Sequence, residues 1–331
     1  MLVACGGVPR DAVTARAPRW TRLPSGTSES LRGLSIPSRE VVWASGAHGA
    51  VLRSIDGGAS WASRAIEGTA ALDFRSLHAF DADRAVVLSA GNPARAFVTT
   101  TGGQSWMEAY TRVEEGVFFD SLAFDGDEGL ALGDPMPSPE GPRFAIVRTH
   151  DGGRTWVDGT GPLAEPGEAA FAASNGCIAL LTDGTTLFAT SGSRVLRSSG
   201  EGAWTSAAVP IPGSPSAGTF AIAFRDVRVG YAVGGDYAAP SAPGSFARTG
   251  DGGASWSAGA APRGYRSSIA VAGRALLVVG TSGTDVSYDE GASWQPVDDL
   301  PLNAVRVVGD VAFAVGPDGT IATLTAGAGG R

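Results

Sequence analysis

The chain has 331 residues, 43% of them hydrophobic, with 48 glycines and 20 prolines, enough apolar material for a large core and enough breakers for many tight turns. A net charge of −8 and a pI near 5.0 argue against nonspecific binding to nucleic acid or anionic lipid. No run approaches the roughly 18 consecutive apolar residues that a membrane-spanning helix requires, and the basic residues are all arginine, a usage that points to genome bias rather than to function.

Residues 1–17 hold Leu2-Val3-Ala4-Cys5-Gly6-Gly7 and then a polar, proline-containing spacer. This stretch is similar to the lipobox of bacterial lipoproteins, whose cysteine becomes the lipidated N-terminus. A basic stretch and an apolar segment should precede it, and here only Met1 to Ala4 do. A shortened leader implies a lipoprotein in the periplasm or on the outer side of a bacterial membrane, touching the membrane only through lipid on Cys5. Met1 as the true start implies a cytoplasmic protein and an accidental match.

Pro18 to Leu23 reads as a single strand around Trp20. Four more strands follow as a meander: Leu31 to Ile36, Val41 to Gly46, Ala50 to Arg53 and Trp61 to Ile66. Their runs are apolar on both sides, as expected where neighbouring sheets cover both faces. The turn between the last two is Arg53-Ser54-Ile55-Asp56-Gly57-Gly58-Ala59-Ser60-Trp61, and the sequence keeps returning to it. Asp151 with Trp156, Asp251 with Trp256 and Asp289 with Trp294 repeat it, and eroded copies end at Trp106 and Trp204. The six tryptophans stand at 61, 106, 156, 204, 256 and 294, hence 38 to 52 residues apart. That period, built from short strands and glycine turns, is the period of a β-propeller blade. In each copy the aspartate can accept the turn's own N–H groups, the glycines supply positive φ, and the tryptophan can bury its ring between sheets.

The remaining blades run from about Phe74 to Tyr110, Phe119 to Val157, Ala169 to Val209, Phe220 to Ala258 and Ser268 to Val297. In the fourth of the six blades, Cys177 to Leu181 extends the first strand, and Cys177 reads as a buried thiol. Three last strands, Asn303 to Val308, Val311 to Val315 and Thr320 to Leu324, lack a fourth. The orphan around Trp20 supplies it, closing an all-β ring of seven four-stranded antiparallel blades and hiding both sheet edges. The domain organisation is a leader remnant and spacer at 1–17, one propeller at 18–325 and a flexible tail at 326–331, in a monomer.

The turn motif resembles the Asp-box, or BNR repeat, of sialidases and sortilin-type propellers, in which it is a fold element away from the active face. From Pro18 to Leu324 the chain is similar to the photosystem II stability and assembly-factor family, through "W-A-S-G…G-A-V-L-R-S-I-D-G-G-A-S-W" at 43–61, "G-Y-A-V-G-G-D-Y" at 230–237 and "G-Y-R-S" at 264–267. The resemblance implies a seven-bladed binding or assembly scaffold of the cell envelope without catalytic activity.

The boxes should lie on one face with the turns between first and second strands, leaving the opposite face for binding. Two long loops belong to that opposite face, from Gly133-Asp134-Pro135 to Arg143 and from Gly235-Asp236-Tyr237 to Ser245. Arg32, Arg75 and Arg266 recur near the starts of first strands, with Asp120 in the matching place and Glu168 close to it. They are expected to ring the channel mouth and, with Asp134, Arg143, Asp236 and Tyr237, to bind a protein, an anionic small molecule or an acidic glycan. A network of internal ion pairs among the same residues is the structural alternative. A sialidase-like glycosidase is the enzymatic alternative, for which Asp134, Glu168, Tyr237 and Tyr265 are candidates by loop position. No cofactor or metal is expected. His48, His78 and His150 fall on different blades and read as surface residues, and Asp125-Gly126-Asp127-Glu128-Gly129 reads as a turn rather than a calcium loop.

Overall fold

Seven four-stranded antiparallel sheets follow one another along the chain, six of them built from consecutive strands. They are seen in a computed structural model that describes residues 19–200 and 203–325. Cys5, the expected leader and the expected tail lie outside the described residues. The first strands of the blades are Leu31–Ser35, Asp73–Ala79, Phe119–Asp125, Ile178–Leu180, Ala217–Phe224, Ser268–Ala272 and Ala304–Val308. Each touches the next in a closed circle, blade seven returning to blade one, and so they wall a central channel.

The seventh sheet is composite. Ala304–Val308, Val311–Val315 and Ile321–Thr325 come from the end of the chain, and Thr21–Leu23 pairs with the last of them, Thr21 opposite Thr323 and Leu23 opposite Ile321. This is the closure that the orphan strand implies.

The core is divided among the seven interfaces between blades, and each interface receives one tryptophan from an outer strand. Trp61 packs between blades seven and one, Trp106 between one and two, Trp156 between two and three, and so round the ring. Trp20 takes that place between blades six and seven, its indole donating to Thr284 Oγ1 at 2.8 Å.

Each full turn motif is a closed hydrogen-bond circuit. In blade one, Ser54 Oγ donates to Asp56 Oδ1 at 2.7 Å and accepts from the N–H of Gly58, while Asp56 takes both the N–H and the hydroxyl of Ser60. The circuits at Asp151, Asp251 and Asp289 repeat it. Near Trp106 the Thr101 hydroxyl replaces the carboxylate and still takes the N–H of Ser105. Gly58, at φ 85°, is required twice over, since a Cβ there would also come within 2.6 Å of Leu23. The N–H of Gly57 bonds Glu40 O, that of Gly152 bonds Asp127 O and that of Gly252 bonds Arg228 O. The motifs are thereby tied to the turns between first and second strands, on one face.

Blade four departs from expectation. Its first strand is only Ile178–Leu180, and the segment Phe171 to Cys177 folds across the channel instead of extending it. Asn175 takes a left-handed conformation (φ 54°) there, which turns the chain back. Its Oδ1 accepts from Leu122 N and Ser121 Oγ of blade three, and its Nδ2 donates to Leu77 O of blade two. Ser174 donates to Ser267 O before blade six, and Gly176 O accepts from Ile222 N of blade five. Arg32 of blade one and Arg306 of blade seven complete the set. A plug from one blade is thus bonded to all six others.

Candidate functional site

The face opposite the turn motifs, above the plug, gathers an arginine-aromatic cluster, and the backbone explains how. The first strands of blades one, two, three and five each carry a β-bulge close to this end. The irregular residues include Arg32 in blade one, Phe74 and Arg75 in blade two, Asp120 in blade three and Phe220 in blade five. A bulge re-aims a side chain that a regular strand would bury in its own sheet. The first strand of blade six has no bulge, its pairing running evenly from Ser268 with Val279 to Ala272 with Ala275.

Arg266 does not join the expected ring, for that reason. It lies just before the regular strand of blade six, is fully buried, and points into its own blade. There it donates to Asp285 Oδ2, to Ser282 Oγ at 2.7 Å and to the carbonyl of Tyr265. Asp285 is held on its other oxygen by Arg263 at 2.7 Å. Arg266 and Asp285 thus form a buried internal ion pair, which the half-exposed Arg263 covers from the solvent side.

Arg32 and Arg75 do come together, each within electrostatic range of the other. Arg75 Nε donates to Asp73 Oδ2 at 2.7 Å, and its guanidinium lies 5.7 Å from the centre of the Phe118 ring. Arg32 donates to the carbonyl of Ala173 in the plug at 3.3 Å and pairs with no carboxylate among the described residues. Burial, and then the charge of Arg75, lower its pKa. Beside it Phe171 stacks on Phe220 at 3.8 Å, and Tyr265 and Tyr237 meet the edge of Phe220 at 4.7 and 6.2 Å. Tyr265 is buried, which drives its pKa up, whereas Tyr237 is exposed.

Asp120 is enclosed, with Oδ2 unpartnered, and burial followed by the nearby Asp134 pushes its pKa well up against the opposing charge of Arg75. Asp134 is raised by burial too, partly offset by the N–H of Ala170 at 2.9 Å. The mouth therefore holds two arginines, one firmly ion-paired carboxylate at Asp73, and two carboxyls that burial inclines to the neutral form.

The other expected residues lie elsewhere. Glu168 is clamped by Arg194 and Thr190, and no hydrogen bond joins it to a tyrosine among the described residues. Arg143 bonds Glu140 and Gly161 O, beside a separate cavity of about 530 Å³ between blades three and four. Asp236 caps its own loop through Ala238 N. His48 and His150 are surface residues paired with Glu29 and Glu128. His78 is not on the surface. It is half-buried against Phe80 and Phe124 in the channel wall, its pKa lowered to about 4 by burial and by Arg306. Asp125 to Glu128 is a two-residue hairpin turn, with Asp127 bound to Arg84. Phe118, Phe171 and Phe220 belong to the mouth without having been singled out, because the bulges and the plug that bring them there leave no periodic mark.

No family model and no curated protein matches the sequence. Solved structures do. The chain is similar to YCF48 bound to a D1 peptide, at 17% identity and TM-score 0.67 over 97% of this chain and 99% of that one. It shares the propeller fold of YCF48. YCF48 from Cyanidioschyzon merolae is similar at 18% identity and TM-score 0.65, covering 93% of this chain and 99% of that chain. Virginiamycin B lyase from Staphylococcus aureus, an enzyme, is similar at 14% identity and TM-score 0.68, with 93% and 99% covered. At these identities the likeness is one of fold.

Proposed function

We propose that the protein is a non-catalytic scaffold of the cell envelope that binds an acidic polypeptide segment at the channel mouth. The observation that carries this reading is Arg32, a largely enclosed guanidinium with no carboxylate partner, beside a second arginine and an aromatic shelf. A cation left in that state favours an anion that can reach it, and the Phe171-Phe220 stack with Tyr237 offers apolar area to the residues flanking an acidic side chain. A structure of the same fold described as bound to a peptide supports the choice of a polypeptide over a sugar. The glycosidase reading has less to draw on, since Glu168 is held by Arg194.

Acidic peptides and acidic sugars, titrated against the protein and its Arg75→Ala variant, test the reading. Acidic peptides should bind and lose about tenfold or more with the arginine, by the worth of one charged hydrogen bond, roughly 1.5–3 kcal/mol. Equal affinity in both proteins contradicts it. Placement in the envelope rests on Cys5 and is tested by mass spectrometry of the membrane fraction of cells expressing the gene with its upstream region. An unmodified Cys5 removes that part of the proposal.

A further inference from the structure

The open cleft of about 530 Å³ between the outer parts of blades three and four lies beside the one shortened turn motif. The other five copies run over eight residues, as in 54–61, and the copy of blade four over seven, 198–204. One residue fewer before the tryptophan changes how its ring meets the neighbouring blade. The indole N–H groups of Trp106, Trp156 and Trp294 donate to carbonyls at 3.1, 3.0 and 2.8 Å, and those of Trp61 and Trp256 are enclosed. Among these six motif tryptophans only Trp204 has an N–H that is neither bonded to a described residue nor enclosed. Its ring lines the cleft and is braced edge to face by Phe188 at 5.2 Å.

The charged residues lining the cleft are Arg143 and Arg194, which begin the third strands of the two blades. Both are fixed and both are matched. Arg194 grips Glu168 through Nε at 2.8 Å and through Nη2, gives Nη2 also to Leu163 O at 3.1 Å, and has Glu165 at 3.6 Å from Nη1. Arg143 holds Glu140 and the carbonyl of Gly161. A guanidinium carries five N–H donors, and Nη1 of Arg194 makes no hydrogen bond among the described residues. The cleft thus has donors to spare and no unmatched positive charge, together with the Ser206 hydroxyl and the apolar Leu163.

We propose that this cleft is a second binding site and takes an uncharged disaccharide. An anion there would stand near Glu140, Glu165 and Glu168, and a cation would find those carboxylates already facing arginines. A hydroxylated, uncharged ligand meets neither penalty. Its oxygens accept from Trp204 and Arg194, and its C–H surface lies against the indole and Leu163. Apolar walls with a few placed polar groups, in a few hundred cubic ångströms, suit a small organic ligand. Since benzene fits a cavity of about 150 Å³, about 530 Å³ has room for two hexose rings. The walls come from third and fourth strands and the connection between the blades, whereas the mouth is built on first strands, so the two sites are separable.

Titration calorimetry with maltose, cellobiose and N,N′-diacetylchitobiose tests the site, with deacetylated chitobiose as the cationic counterpart and cellobiouronate as the anionic one. At least one neutral disaccharide should bind saturably, one per chain, and at least tenfold more tightly than either charged sugar. Trp204→Phe keeps a ring and removes the N–H, and should weaken binding about three- to tenfold, the worth of one neutral hydrogen bond. Ser206 stands opposite Leu196 on an exposed outer strand. Ser206→Trp, which fills the cleft from there, should abolish sugar binding and leave the affinity of the mouth for acidic peptides as in the parent. The proposal is overturned by a parent that binds none of the three disaccharides, by a charged sugar bound equally well, or by binding undiminished in either variant.

Discussion

Arg32 and Arg306, from adjacent blades at the ring closure, hold consecutive carbonyls of one segment, Arg32 taking Ala173 O and Arg306 taking Ser174 O and Asn175 O. Neither guanidinium has a carboxylate partner among the described residues, and burial lowers the pKa of both. The plug between them divides the channel into an upper mouth and a lower cavity. It also converts a ring of pairwise contacts between neighbouring blades into a structure with a common centre.

Asn175 is the key of that centre, and its replacement should be costly. Asn175→Ala leaves Ser121 Oγ, Leu122 N and Leu77 O without this partner and places a Cβ-bearing residue with no compensating side chain at φ 54°. Three lost buried hydrogen bonds and the left-handed strain together predict a loss of about 3–5 kcal/mol. Asn175→Gly loses the bonds but not the conformation and should be the milder change. Chemical denaturation of the two variants checks the order, and equal, small losses would contradict the keystone role.

The repeat, the number of blades, the closing strand and the face of the turn motifs were all legible, because each rests on local chemistry that recurs at a fixed period. A Ser-x-Asp-x-Gly turn needs its own residues and little else, and Trp20 declared its blade by standing where a motif tryptophan stands. The mouth was legible only in part. Arg32, Arg75 and Asp120 occupy equivalent positions in the sequence, but so does Arg266. What separates them is the β-bulge that the first strands of blades one, two and three have and that of blade six lacks, and a bulge of one residue is decided by pairing across strands. The plug left one signal, the Asn175-Gly176 pair inside an apolar run, which is turn chemistry. Its targets lie on six other blades, and no local pattern encodes them.

Ring closure predicts the effect of truncation. Removing residues 1–23 takes away Thr21–Leu23 and Trp20, baring the edge of Ile321–Thr325 and opening the interface between blades six and seven. A large fall in melting temperature, or aggregation through the bared edge, is expected. An unchanged melting temperature would show that the ring does not depend on this strand.

The turn motifs predict an acid dependence. Hydrogen bonds from Ser255, chiefly its hydroxyl, bring Asp251 down to about 2, and Asp56 and Asp289 are lowered to about 2 in the same way by Ser60 and Ser293. The unfolded value is about 3.9. A lowered folded pKa contributes stability above the unfolded value and loses it as pH falls through the folded one. Asp251→Ala should therefore cost about 1–2 kcal/mol at neutral pH, with the difference from the parent shrinking between about pH 4 and pH 2. A difference that stays constant down to pH 2 would mean the carboxylate is not the group responsible.

Asp120 predicts the opposite sign. Burial and Asp134 raise its folded pKa, so at neutral pH this group opposes folding, and the cost vanishes as pH falls below its unfolded value of about 3.9. Asp120→Asn should raise the melting temperature at pH 7, and the gain should diminish toward pH 4. A variant less stable than the parent at pH 7 would show that the negative charge is needed beside Arg75.

The central claim, that the mouth is built around an unpaired guanidinium for an acidic polypeptide, is tested most directly at Arg32. Calorimetric titration of an aspartate-rich peptide and its asparagine counterpart into the parent and into Arg32→Gln isolates the charge on both sides. The account predicts that the parent prefers the acidic peptide by at least tenfold and that Arg32→Gln erases the preference while its melting temperature stays close to the parent's. Equal binding of the two peptides by the parent, or an undiminished preference in the variant, would contradict it.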